Sequence, residues 1–90
     1  MAYAFVEDIP ASWEQYEPVD AAIADPVPQG LILHVAGPTD DGVRTIEVWE
    51  SREAWRRFQD DRPAPALQSR PTLRELHALH MVRGGARELA

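Results

Sequence analysis

Residues 30–51 read GLILHVAGPTDDGVRTIEVWES, and the fold is read most directly from this stretch. Two short apolar runs are separated by PTDDG, whose proline, aspartate and glycine residues are typical of a turn. Within each run the side chains alternate in character, as in strands whose successive residues point to opposite faces of a sheet. The stretch therefore predicts a β-hairpin with strands at 31–37 and 43–50. Each strand carries one ionisable residue near its middle, His34 in the first and Glu47 in the second.

A four-residue turn at 39–42 sets the register of this hairpin by pairing Pro38 with Val43. The facing pairs that follow are Val35 with Ile46, His34 with Glu47, Leu33 with Val48, and Ile32 with Trp49. One face then collects the aliphatic residues Leu31, Leu33, Val35, Ile46 and Val48. The other face collects Ile32, His34, Ala36, Thr45, Glu47 and Trp49. We expect the aliphatic face to pack on helices and the mixed face to line a cavity, because ligand sites combine apolar walls with a few polar groups.

Helical segments flank the hairpin on both sides. Ser12 and Gln15 have the spacing of a capping box and predict a helix that begins there. Pro18 predicts a kink in this helix or a later start, because proline removes a backbone donor. Ser51 is suited to cap a second helix at 52–62. The apolar stripe of that helix, expected to be plain core, consists of Ala54, Trp55 and Phe58.

Further strands are predicted at residues 3–7 and 75–82, so the order is strand, helix, strand, strand, helix, strand. With right-handed crossovers this order predicts an α+β, ferredoxin-like βαββαβ fold, a four-stranded antiparallel sheet with two helices on one face. Residues 1–83 form a single domain in this prediction, and residues 84–90 form a flexible C-terminal tail. The second face of such a sheet is open, and if it is apolar it needs a cover.

Composition narrows the possible functions. The chain has 90 residues, no cysteine and a net charge of −6, which excludes disulfides and thiolate chemistry and argues against nucleic-acid binding. It is short for a single core, which favours oligomerisation. No apolar run is long enough for a membrane span, and MAYAFVEDIP does not resemble a signal peptide, so a cytoplasmic location is expected. No nucleotide, phosphate or zinc-protease motif is present, and no cofactor or metal is expected.

The strand GLILHVAG, the turn PTDDG, the strand VRTIEVWES and the helix SREAWRRF resemble the dimeric α+β barrel superfamily. Within it they most resemble the antibiotic-biosynthesis-monooxygenase-like proteins, through the pattern V-W-E-S-x-E-A-W-x-x-F at Val48 to Phe58. The resemblance is best over residues 30–67 and is specific for the fold rather than for a reaction. It implies a homodimer in which two ferredoxin-like protomers bring their open sheet faces together, each enclosing a pocket between its sheet and adjacent elements.

Members of this superfamily include cofactor-free oxygenases of aromatic polyketides, cyclases and haem-degrading enzymes. The haem degraders share an Asn-Trp-His set, but here the matching helix position is Phe58 and no histidine follows it before His77, so haem degradation is disfavoured. The resemblance implies a small apolar or aromatic, polyketide-like metabolite as ligand. If the protein is an enzyme, it implies cofactor-free oxygenation or cyclisation in secondary metabolism. A non-catalytic ligand-binding or structural homodimer is the alternative.

His34, Glu47 and His80 are the candidate catalytic residues. Directly opposed side chains have Cβ atoms about 4.5–5.5 Å apart, so His34 and Glu47 can share a hydrogen bond. Either His34 or His80 would be the general base, and Glu47 would orient the imidazole. The same three residues could form a two-histidine, one-carboxylate metal set, but no local spacing supports this. Equally, His34 and Glu47 could be a purely structural pair in a half-buried sheet. The candidate substrate-binding residues are Tyr3, Phe5, Ile32, Thr45 and Trp49.

Overall fold

A computed structural model describes residues 2–61, 70–82 and 84–85 of the chain. The elements are β1 (Tyr3–Ile9), α1 (Trp13–Ala24), β2 (Leu31–Thr39), β3 (Gly42–Trp49), α2 (Arg52–Asp61) and β4 (Thr72–Glu75). All paired strands are antiparallel and form one sheet in the order β2-β3-β1-β4. The predicted α+β class, with a four-stranded antiparallel sheet and two helices, is confirmed, and the strand order is compatible with a ferredoxin-like fold.

Both helices begin at the predicted caps. The Ser12 Oγ accepts a hydrogen bond from the Gln15 amide at 3.2 Å, and the Gln15 side chain accepts one from the Ser12 amide at 3.0 Å. The Ala54 amide donates to the Ser51 Oγ at 3.1 Å at the start of α2. Pro18 lies inside α1, so the alternative of a later start is wrong. None of the helices in the described part of the chain is long and apolar enough to cross a membrane.

The hairpin has the predicted register over most of its length, including His34 opposite Glu47 and Val35 opposite Ile46. Its loop is shorter than expected, because Thr39 pairs with Gly42. Near the start of β2 an irregularity shifts the register, and Leu31 rather than Ile32 lies opposite Trp49. An extra residue in one strand reverses the facing of the residues beyond it. The prediction that Ile32 faces Trp49 is therefore wrong.

The last strand is displaced from its predicted position. It spans Thr72–Glu75 rather than 75–82, and it pairs with β1 so that Glu75 lies opposite Phe5. The Leu76 amide still donates to the Ala4 carbonyl. Because the pairing is antiparallel, each further residue of the strand needs a partner nearer the N-terminus. β1 begins at Tyr3, which would face residue 77, so the last residues of the predicted strand have no partner in β1.

The helices cover the mixed face of the sheet, which was predicted to line a cavity, and not the aliphatic face, which was predicted to pack on them. Two buried clusters lie between the sheet and the helices; they are Phe5, Trp49 and Ala54 beside α2, and Ile9, Tyr16 and Val43 beside α1. On the other face Leu33, Val35 and Ile46 remain 47%, 49% and 40% exposed. The helices cover the face that carries the larger aromatic side chains of β1 and β3, because packing those rings removes more apolar surface from water.

Gly30 allows the chain to enter β2 beside the start of α2. Its φ is +92°, and a Cβ at this position would lie 2.6 Å from the Cβ of Ala54. We expect Gly30→Ala to lower the free energy of unfolding by about 2 kcal/mol or more, because it combines a left-handed backbone with a steric clash. Gly37→Ala is the matched control, since no atom lies within 4 Å of its added Cβ. Urea denaturation of both variants checks this, and equal losses would contradict it.

Candidate functional site

His34 lies between two carboxylates that come from different elements. Its Nδ1 is 2.9 Å from the Oε2 of Glu47 on β3, and its Nε2 is 2.7 Å from the Oδ1 of Asp20 on α1. The strand register places His34 opposite Glu47, and α1 supplies Asp20 from above the sheet. The pair is therefore within hydrogen-bond distance, as the register predicts. It lies between the sheet and α1, so the expectation that it points away from the helices is wrong.

Glu47 connects this histidine to the core. Its Oε1 accepts a hydrogen bond from the Trp49 Nε1 at 2.8 Å, so each of its two oxygens has a donor. Trp49 is fully buried, and its ring lies 5.4 Å from that of Phe58. Trp49 is thus part of the packed core rather than an open pocket wall, which corrects the prediction. A continuous hydrogen-bonded chain runs from Asp20 through His34 and Glu47 to Trp49.

The two contacts of His34 define its protonation state. Both can be hydrogen bonds to ionised carboxylates only if both ring nitrogens carry protons, which makes the ring an imidazolium. The pKa of His34 is raised, chiefly by the hydrogen bond to Glu47 and also by the one to Asp20, while burial acts in the opposite direction. In this arrangement the ring has no free lone pair. His34 therefore cannot accept a proton until it has lost one of its two ring protons.

Asp20 is the functional residue that sequence analysis missed. It lies four residues after Tyr16 and three before Ile23, which are the buried residues of α1. Residues at this spacing share one side of a helix, so Asp20 is expected on the side of α1 that packs on the sheet. This spacing is the signal in the sequence by which it could have been found. Its side chain is 33% exposed, compared with 7% for Glu47. Asp20 is therefore the more accessible end of the hydrogen-bonded chain.

Glu7 and Thr45 are two further polar residues on the same face of the sheet as His34 and Glu47, and Tyr16 of α1 is a third polar residue nearby. Glu7 of β1 is opposite Thr45 of β3, which has Ala36 as its other neighbour. The pKa of Glu7 is raised by burial and then by the charge of Glu47. The pKa of the Tyr16 hydroxyl is raised by burial and by Asp20, Glu47 and Glu7. We call this group the interlayer polar cluster; it consists of Glu7, Tyr16, Asp20, His34, Thr45 and Glu47.

The remaining predicted site residues lie elsewhere. Tyr3 and Phe5 each have ring centroids 5.5 Å from that of Trp55, so they pack beneath α2. Arg52 lies 5.0 Å over the Tyr3 ring and also pairs with Glu75. Ile32 is 48% exposed, at the register shift.

His80 is exposed and follows the end of β4, so it does not lie in the strand predicted at 75–82. The ring nitrogens of His34 contact carboxylates and not His80. Within the described ranges, no three histidine, aspartate or glutamate side chains form a group that could hold a metal ion. The candidate site is therefore centred on His34 and Glu47, with Asp20 in place of His80.

A cavity of about 100 Å³ lies on the other side of Trp49. Its lining residues are Pro28, Gln29, Ala54, Arg57, Phe58 and Asp61. Of the two packed rings, Phe58 lines this cavity, whereas Trp49 donates to Glu47 and does not line it. The two helices thus border different regions, with the polar cluster under α1 and this small cavity of mixed polar and apolar lining beside α2.

No family model matches the chain, and no curated protein matches it significantly. The resemblance of residues 30–67 to the α+β barrel superfamily therefore stays a prediction.

The two carboxylates should differ in how much they stabilise the protein. We expect Glu47→Gln to lower the free energy of unfolding by about 3 kcal/mol, because it leaves a partly buried imidazolium and the buried Trp49 donor less well paired. Asp20→Asn should cost about 1 kcal/mol or less, since Asp20 is partly exposed to water. Chemical denaturation of both variants at pH 6.5 measures the difference. Equal losses would show that Glu47 is not the principal partner of His34.

The stability of the protein should fall as the pH rises through the raised pKa of folded His34. The unfolded pKa is about 6.5, so stabilisation by the imidazolium is complete below that pH and is lost above it. The pKa of Glu7 is also raised by burial, but the fall in stability that it causes begins at a lower pH, above the ordinary glutamate pKa of about 4.5. Thermal melts at several pH values should show a slope above pH 6.5 that His34→Gln removes. His77→Gln, at an exposed position, should retain it, and a slope unchanged in His34→Gln would contradict the assignment.

Proposed function

We propose that the protein is a homodimeric α+β barrel protein that binds a small apolar or aromatic, polyketide-like metabolite between its sheet and its helices. One observation carries the proposal: the contact between α1 and the sheet contains a charged, hydrogen-bonded chain, Asp20–His34–Glu47. Burying such groups is costly compared with packing apolar residues of similar size. A layer interface that served stability alone would have no need of them, so we infer that they serve recognition.

The dimer is supported by the sheet face opposite the helices. Leu33 and Val35 on β2 and Ile46 on β3 are aliphatic, adjacent and about half-exposed. A second copy offers the same face, and two identical patches related by a two-fold axis can cover each other. A dimer would bury additional apolar surface. This matters for a chain of 90 residues, because a small domain buries only part of its apolar surface by folding alone.

Binding is favoured over catalysis by the hydrogen bonds of His34. Both ring nitrogens are engaged, so the residue holds its proton instead of removing one from a ligand. In this role the imidazolium keeps Glu47 and Asp20 in place and offsets part of their negative charge. The non-catalytic ligand-binding homodimer is accordingly the form of the proposal that the geometry supports best.

Cofactor-free oxygenation or cyclisation is the second candidate, favoured by the accessibility of Asp20. If a ligand displaced Asp20 and the Nε2 proton of His34 passed to water, Nε2 would have a free lone pair while Glu47 still held Nδ1–H, which is the arrangement of an oriented general base. The ring could then remove a proton from an activated carbon of the ligand, and O₂ would react with the carbanion. Conversion of anthrone and O₂ to anthraquinone and water, lost in His34→Gln, would support this candidate.

The dimer and the ligand can be tested separately. We expect the wild-type protein to have twice the 10.1 kDa chain mass in light scattering, and Val35→Lys to have the mass of one chain. Val27→Lys is the matched control, because Val27 is exposed outside the sheet. A monomeric wild-type protein would overturn the dimer.

For the ligand, equilibrium dialysis of naphthalene, an apolar aromatic probe, should show saturable binding to the wild-type protein. Val35→Lys should retain this binding if it remains folded, since the proposed ligand lies within each protomer. No saturable binding to the wild-type protein would overturn the ligand-binding part of the proposal.

A further inference from the structure

Asp20 holds the second half of α1 against the sheet. Its Oδ1 accepts a hydrogen bond from the Nε2 of His34 at 2.7 Å. Pro18, two residues earlier inside the helix, removes one of the backbone hydrogen bonds that join successive turns. Residues 19–24 are therefore tied less firmly to the first half of α1, and their place over the sheet depends on Asp20 together with the buried Ile23.

The two carboxylates that contact His34 respond differently if the ring loses a proton. Glu47 is 7% exposed, and its other oxygen accepts from Trp49, so water poorly replaces a donor lost there. Asp20 is 33% exposed, so water can replace the donor that it loses. Because an acceptor left unpaired costs more where it is buried, the ring gives up the Nε2 proton, which faces Asp20, and keeps Nδ1–H on Glu47.

Loss of the Nε2 proton turns the contact with Asp20 from attraction into repulsion. The neutral Nε2 has a lone pair, and a carboxylate has no proton to donate to it. Two acceptors 2.7 Å apart repel each other, and the hydrogen bond to Glu47 keeps the ring from turning away. Asp20 is the partner that can move, since it lies on the loosely tied half of α1 and reaches water as it leaves.

We propose that residues 19–24 of α1 are a pH-controlled flap, held over the interlayer polar cluster while His34 is an imidazolium and released when the ring becomes neutral. Release uncovers the Nε2 of His34, so the candidate site is closed at lower pH and open at higher pH. The change is local, and the sheet stays folded. The inference concerns access to the site, and it depends neither on the proposed ligand nor on the dimer.

The other titratable groups around His34 do not account for such a release. They are Asp20 and Tyr16 on α1, Glu47 on β3 and Glu7 on β1. Burial raises the pKa of the Tyr16 hydroxyl, so it keeps its proton. Burial and the charge of Glu47 raise the pKa of Glu7, but ionisation of Glu7 adds a negative charge, which favours the imidazolium and therefore the closed flap.

Backbone nitrogen-15 relaxation tests the flap in the folded protein. The imidazole NMR signals of His34 first give its titration midpoint, and relaxation is then measured one pH unit below and two units above it. Order parameters are about 0.85 for a rigid backbone and below about 0.6 for a flexible one. We expect residues 19–24 to fall from the first value to the second, while β3 stays rigid. Above the midpoint the ring nitrogen shifts should show the proton on Nδ1.

Asp20→Asn is the decisive variant, because an amide can accept a hydrogen bond from the imidazolium and donate one to the neutral ring. We expect residues 19–24 to stay rigid on both sides of the midpoint in this variant. Glu17→Gln removes the same charge from an exposed position on α1 and should keep the release. His34→Gln has no titrating ring and should give the same order parameters at both pH values.

Several results would overturn the inference. They are a wild-type flap that stays rigid above the midpoint, and a release that persists in Asp20→Asn or His34→Gln. A neutral ring that keeps its proton on Nε2 would overturn it too, since Asp20 would still have its donor. Equal loosening of β3 would do the same, because it would show unfolding of the whole domain. Each of these results leaves the ligand and the dimer to the dialysis and light-scattering experiments.

Discussion

The imidazolium of His34 joins three consecutive elements of the chain, α1, β2 and β3. It contacts Asp20 from α1 on one side and Glu47 from β3 on the other, while its own backbone belongs to β2. A cation that is largely shielded from water needs its donors satisfied, so the position of α1 over the sheet and the orientation of the ring depend on each other. The protonation of the site and its place between the layers both follow from this contact.

Glu47 links this charged contact to the apolar core. One of its oxygens accepts from His34 and the other from Trp49, whose ring stacks on Phe58 beneath α2. Aromatic packing therefore holds the carboxylate, and the carboxylate holds the imidazolium. Because the surrounding side chains exclude most water, these hydrogen bonds are stronger than the same contacts would be at the surface.

The sheet uses its two faces for different purposes. The helix-covered face combines large aromatic residues with the interlayer polar cluster, whereas the other face presents Leu33, Val35 and Ile46 to the exterior. In a single two-layer domain the aliphatic face would be the natural place for the core. This distribution is understandable if the aliphatic face is covered by another copy of the chain, as we propose, since both faces are then interior.

The sequence by itself determined the hairpin, its register at His34 and Glu47, the helix caps and the α+β class, because turn residues, alternation and capping are local signals. Only the tertiary structure decided which face the helices cover. Alternation shows which residues share a face of the sheet but not whether helices cover that face. The packing of the aromatic residues of β1 and β3 against the helices decided it. The end of β4 depended likewise on where β1 begins, and the contact of Asp20 with His34 depended on how α1 packs over the sheet.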